Sequence, residues 1–129
     1  MQLWKPKKSV PVFCSMTFEK NGLTMFGNSV DDTVETLVPL GIDAVGLNCS
    51  LGPDLAIPII QEFAQKTDLP LLFKPNAGKP IINEDGTTTS TYSAEQFAVD
   101  ILPALPYVSY IGGCCGADAS YIRAIKKLL

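Results

Sequence analysis

The chain has 129 residues, enough for one domain with a real hydrophobic core, and its 47% apolar and 18% charged composition excludes a disordered or fibrous protein. Ten basic residues against thirteen acidic ones give a net charge of −3 and no basic patch, which argues against nucleic acid and anionic membrane as partners. There is no histidine, so the commonest general base and the commonest nitrogen ligand for zinc are both missing.

No apolar run reaches the length of a membrane-spanning helix, and the opening MQLWKPKKSV lacks the apolar stretch of a secretion signal. The expected compartment is the cytoplasm, where the four cysteines read as thiols and not as a disulfide framework.

The first apolar run, Ser9 to Phe18 (SVPVFCSMTF), predicts a buried strand. A loop marked by Asn21-Gly22 and Gly27 follows, then a helix capped by Ser29, with Val30, Val34, Leu37 and Val38 on its apolar side and Gly41 at its end. The second strand is predicted at Asp43 to Cys49 (DAVGLNC). After SLGP comes a helix with Leu55, Ile59, Ile60 and Phe63 on one side, in which Pro58 is expected only within about the first turn.

The third strand is predicted at Leu69 to Lys74 (LPLLFK), followed by PNAGKP and a polar, threonine-rich loop from Asn83 to Tyr92. Ser93 with Gln96 predicts a capping box for a third helix carrying Phe97, Ile101 and Leu105, which Pro103 and Pro106 bring to an end. The fourth strand is predicted at Tyr107 to Ile111 (YVSYI), running into GGCCG. A last helix, Ala119 to Leu129, has Ile122, Ile125 and Leu129 at helical spacing.

Strand and helix thus alternate four times, which predicts an α/β fold with a parallel sheet covered by helices. No composition shift divides residues 1–129, so a single domain is expected. The pattern fits an open doubly wound sheet, or half of an eight-stranded barrel, whose usual length is about 250 residues.

In such folds ligands sit beyond the C-terminal ends of the strands. Those positions hold Met16-Thr17-Phe18, Asn48-Cys49, Pro75-Asn76-Ala77-Gly78 and Gly112 to Gly116, so three of four cysteines end parallel strands at one edge of the sheet. Three thiolates without histidine make a soft-metal site in which zinc keeps one open position. GGCCG also reads as a phosphate-binding glycine turn or a plain turn, Asn76 as a turn residue or an amide-oxygen ligand, and Cys14 as a small buried hydrophobe.

These residues resemble the homocysteine S-methyltransferase family. The resemblance is carried by GIDAVGLNCSLGP, by PNAG, and by GGCCG followed by a helix with YIRAI; it runs from about Val10 to Leu129. SMTF and its glycine-containing loop are most similar to the methionine synthase branch, which includes a homocysteine-binding module that works with cobalamin.

The resemblance implies a TIM (β/α)8 barrel of which this chain is the C-terminal (β/α)4 half, strands five to eight. It implies zinc held by Cys49, Cys114 and Cys115, with the homocysteine thiolate in the fourth position. Asn76, at a strand end facing the cysteines, is the candidate to occupy that position when substrate is absent. Asn48, Met16 and Thr17 are the substrate-side candidates. The methyl group is expected from methylcobalamin, bound by a separate cobalamin-carrying module and not by this segment, giving methionine. The expected partners are homocysteine and either the N-terminal half of the barrel or a second copy of this chain, since a half-barrel exposes edge strands and an apolar face. A phosphate-binding α/β module and a catalytically inert, self-associating half-barrel are the alternative readings.

Overall fold

A computed structural model describes residues 10–78, 80–90 and 92–129, so the predicted strand start at Ser9 lies outside the described residues. Four strands form one parallel sheet: β1 (Phe13–Met16), β2 (Ala44–Asn48), β3 (Leu71–Lys74) and, last along the chain, β6 (Tyr110–Ile111), in the order β1-β2-β3-β6. Each strand lies beside its predecessor with no reversal of direction, which excludes the doubly wound alternative.

The helices are α1 (Val30–Leu37), α2 (Pro53–Lys66), α3 (Ala94–Ile101) and α4 (Ala119–Leu128). Their buried residues join Val45, Leu47, Leu71 and Phe73 of the central strands in one core, so all four helices pack on the same face of the sheet. Phe63 of α2 is fully buried there and meets Phe18 edge to face, with ring centroids 5.7 Å apart. Phe97 of α3 makes the same kind of contact with Tyr121 of α4 at 5.5 Å.

The opposite face is open. It carries Phe13 and Ser15 of β1, Gly46 and Asn48 of β2, Leu72 and Lys74 of β3 and Tyr110 of β6, by the in-register pairings along the sheet. Phe13 and Tyr110 stand on the two outer strands, yet their rings lie 4.6 Å apart between centroids. Strands spaced about 4.8 Å apart would hold them well beyond contact on a flat sheet, so the sheet curls and this face is concave. Both rings stay over a third exposed, at 44% and 40%.

The element ends depart from the sequence pattern for identifiable reasons. The strands are shorter than their apolar runs, because the ends of the runs have no paired neighbour; Tyr107 to Ser109 lie outside β6, which keeps two residues. Helix α1 stops at Leu37 and tightens into a 3₁₀ turn, Val38–Leu40, because Pro39 cannot continue it; Gly41, at φ 80°, makes the left-handed cap. Pro58 lies inside α2, beyond the first turn expected for it. The helix continues because the ring sits on the exposed side while Ala56, Ile59, Ile60 and Phe63 hold the buried side.

The full capping box forms at Ser29 and Asp32 of α1. At α3 only half of the expected box forms: Ser93 accepts from the Gln96 N–H, while the Gln96 side chain donates to Asp100 at 2.8 Å. Leu55 is exposed because α2 turns Ala56, Ile59, Ile60 and Phe63 to the core, and Ile122 and Leu129 are exposed because α4 and its end turn Tyr121, Ala124 and Ile125 there instead. The polar loop expected from Asn83 to Tyr92 is instead the turn and second strand of an antiparallel hairpin, β4 (Pro80–Ile82) with β5 (Thr88–Ser90). Among the described residues no helix is long and apolar enough to cross a membrane.

Candidate metal centre

Three loops at the C-terminal end of the sheet converge. Cys49 follows β2 directly, and both it and Ser50 have left-handed backbones, at φ 65° and 58°. Non-glycine residues pay a steric penalty in that region, so the surrounding bonds must enforce it. Cys49 N–H donates to Lys74 O at 3.0 Å, Leu51 N–H to Cys49 O at 2.7 Å, and Asn76 N–H to Leu51 O at 2.8 Å. Ser50 Oγ–H donates to Glu19 Oε2 at 3.2 Å, which ties in the loop after β1.

The GGCCG turn is fastened to the loop after β3 in the same way. Cys114 N–H donates to Pro75 O at 2.9 Å, Ala77 N–H to Cys115 O at 2.9 Å, and Cys115 N–H to Asn76 Oδ1 at 3.1 Å. Gly116 has φ 82°, and a methyl group on it would lie 2.8 Å from Gly78 O, so only glycine fits where the two loops touch.

As a result the sulfur atoms of Cys49, Cys114 and Cys115 all lie within 4.8 Å of one another. Cys49 and Cys115 Sγ are 3.3 Å apart. Tetrahedral zinc with bonds of about 2.3 Å to sulfur has its ligands about 3.8 Å apart, inside the range these sulfurs span, so the residues fit a soft ion. Cys115 is exposed and the other two are half-buried, which leaves one side of the cluster open to a further ligand.

The thiols are electrostatically unequal. Hydrogen bonding from Cys115 and then Cys114 holds the Cys49 thiol below its ordinary pKa. The same contact with Cys49, joined by the charges of Cys49 and Cys114, pushes Cys115 up to about 11. The cluster therefore gives up a proton more readily at Cys49 than at Cys115, which keeps its proton at neutral pH. A metal ion must displace that proton, so metal affinity should rise with pH from neutrality towards 11, with proton release on loading. Zinc titrations at several pH values, in two buffers of different ionisation heat, would measure both; an affinity flat with pH would contradict the thiol assignment.

The remaining candidates are placed as follows. Asn48 sits at the end of β2 on the open face, where its Oδ1 accepts from Ser15 Oγ–H at 2.7 Å. Asn76 lies against the cluster through its bond to Cys115. Thr17 is exposed just beyond β1. Met16 pairs in register with Leu47, on the helix side of the sheet, and lines a shallow groove with Asn28, Asp32, Thr33, Thr36 and Leu37, so the structure does not bring it to the sulfur cluster. Cys14 is half-buried against the core on that same side. Lys74 and Ser15 border the site without having stood out in the sequence; the signal for Lys74 was a charge ending the apolar strand LLFK.

Little of the GGCCG turn is free to cradle phosphate. The N–H groups of Gly112, Cys114, Cys115 and Ala117 all donate to acceptors within the protein.

A family model described as Homocysteine S-methyltransferase matches residues 1–129. The chain belongs to the homocysteine S-methyltransferase family. Among its relatives in the family it is 31% identical over 121 residues to the methionine synthase of Mycobacterium tuberculosis, a match covering 92% of this chain and 10% of that protein. It superposes on the oxidised form of the homocysteine methyltransferase MmuM from Escherichia coli with TM-score 0.72 at 21% identity, covering 95% of this chain and 38% of that one. The metallated form of MmuM gives TM-score 0.72 at 23% identity, over 92% and 36% of the two chains. The chain thus shares the fold of these methyltransferases while spanning about a tenth of the methionine synthase length.

Proposed function

We propose that this chain is the metal-holding part of a homocysteine S-methyltransferase, the C-terminal (β/α)4 half of a TIM (β/α)8 barrel. The observation that carries the reading is the convergence of Cys49, Cys114 and Cys115 from two strand ends onto one point, in a chain of this family. The half-barrel reading is supported by the sequential parallel order, the curled sheet and the helices on one face. β1 and β6 each have a single neighbour among the described residues, so each offers an edge for parallel pairing. The N-terminal half of the barrel is the partner that fits those edges, and a second copy of the chain is the alternative.

Zinc is the ion proposed, given three soft donors and no histidine. Bound there, it would favour the thiolate form of an added thiol, because a coordinated thiol is deprotonated outright. The chain supplies the rest by position. Cys49, Cys114 and Cys115 leave an open side for the homocysteine sulfur, and Asn76, whose amide oxygen accepts from Cys115 N–H at 3.1 Å and keeps a second lone pair, is the proposed occupant of that side when substrate is absent. The homocysteine thiol would lose its proton to solvent on coordination; its sulfur would then attack the methyl carbon in line, the new S–C bond forming as the bond from that carbon to its carrier breaks and leaves its electron pair on the carrier, so that methionine forms and no histidine base is needed. Methylcobalamin, carried by another module in the cytoplasm, is the proposed donor.

The test is zinc analysis followed by homocysteine titration, with the chain alone and with a barrel N-terminal half supplied in trans, while mass in solution is recorded. One zinc per chain and a saturable homocysteine signal are expected, strengthened by the added half. A chain that takes up no zinc in either form would end the reading.

A further inference from the structure

Cys49 is held in an unusual backbone. It and Ser50 are consecutive non-glycine residues with positive φ, and among the described residues no other non-glycine residue takes that region. The Leu51 N–H donates to Cys49 O at 2.7 Å, which closes a three-residue turn about Ser50. With φ 58° at its centre, this is the rare and strained form of such a turn. Strain of that kind persists only where the surroundings over-determine it.

The two ends of the turn are tied by backbone, Cys49 N–H to Lys74 O and Leu51 O to Asn76 N–H. The centre is tied through its side chain: Ser50 Oγ–H donates at 3.2 Å to Glu19 Oε2, 31 residues earlier in the chain. Glu19 is a fixed acceptor. It follows Phe18, which is buried against Phe63. Its N–H donates to Leu23 O at 2.8 Å, and its carbonyl accepts from Gly22 N–H at 2.9 Å, so the loop after β1 closes on itself around it. The serine hydroxyl therefore meets an anchored carboxylate, a charge-assisted bond. Behind the hydrogen bonds from Cys115 and Cys114, the Ser50 N–H is a further donor to the Cys49 sulfur, and all three hold that thiol low.

Resting on the metal-holding reading, we propose that Glu19 and Ser50 are positioning residues for the metal centre. They form a latch from the loop after β1 that keeps Cys49 in its left-handed turn, with its sulfur beside those of Cys114 and Cys115. A soft ion then meets Cys49 already in place and does not have to order the turn out of its own binding energy.

The experiment titrates zinc and cobalt(II) into the unaltered chain and its variants. Ser50→Ala and Glu19→Ala should each bind zinc roughly three- to tenfold more weakly, as for the loss of one solvent-accessible bond to a charged group. Both should also shift the cobalt(II) absorption bands that report geometry at sulfur. Glu19→Gln, which keeps an oxygen acceptor without the charge, should fall between. Ser50→Gly separates positioning from structure, because glycine takes positive φ without penalty. Its urea midpoint should hold or rise while its zinc affinity falls; a residue with a structural role alone would move the two together. Unchanged affinity and cobalt spectrum in Ser50→Ala and Glu19→Ala overturn the proposal, as does a double variant whose loss is the sum of the two single losses. NMR of the metal-free chain keeps the two readings apart. Cys49 and Leu51 amide signals that change in both variants of a chain without metal uptake end the metal-holding reading and keep the latch, whereas signals that stay in place overturn the latch.

Discussion

Cys115→Ala should lose tight zinc binding while the chain keeps its fold. Cys115 is exposed at the tip of a turn and belongs to no core cluster, so removing its sulfur leaves no cavity. A four-ligand zinc site gains about 10–16 kcal/mol, so one ligand in four carries about 2.5–4 kcal/mol, which is roughly a hundredfold or more in affinity. Cys49→Ala and Cys114→Ala should behave alike. Cys14→Ala is the control: it packs on the helix side of β1 and should cost stability while zinc stoichiometry stays unchanged. Competition with a chromophoric chelator reads the affinities, and far-UV circular dichroism reads the fold. Zinc retained at full affinity in Cys115→Ala, or lost in Cys14→Ala, would show that the ligand set is drawn wrongly.

Gly46→Ala should be the most damaging single methyl that can be added to the sheet. A Cβ at Gly46 would lie 1.8 Å from Leu72 O and 2.7 Å from its carbonyl carbon, atoms of the paired backbone and not the end of a flexible side chain. β2 is held between β1 and β3, so relief requires the central strands to part. Overpacking of this kind costs about 3 kcal/mol or more, a large share of a typical 5–15 kcal/mol stability. The urea midpoint should fall accordingly, and zinc affinity with it, because Asn48 and Cys49 lie just downstream on the same strand. An unchanged midpoint would mean that β2 and β3 are not registered as described here.

The cysteine cluster was legible because its geometry follows from order along the chain. Parallel strands place all their C-terminal ends at one edge, so a cysteine after the second apolar run and a pair after the fourth had to meet there once the runs were strands. The orientation of Asn48 was not legible, since it depends on Ser15, which comes 33 residues earlier and pairs with it only across the sheet. Met16 shows the opposite case. It was itself a substrate-side candidate in the sequence, but alternation along β1 turns it to the helix side. The hairpin Pro80–Ser90 was read as loop because three-residue strands carry too little periodicity to register, although Asp85-Gly86 marks its turn.

By itself the sequence determined the alternation of strands and helices, the parallel sheet, the cysteines that share its C-terminal edge and the resemblance to a methyltransferase family. These rest on local periodicity and chain order, which a single strand or helix already expresses. Only the tertiary structure decided which face each residue takes, how far the sheet curls, and that Phe13 meets Tyr110 across it. It alone set the unequal thiols and tied Ser50 to Glu19 of another loop. Those features come from register and close packing between segments far apart in the chain, where a shift of one residue would turn every side chain to the other face.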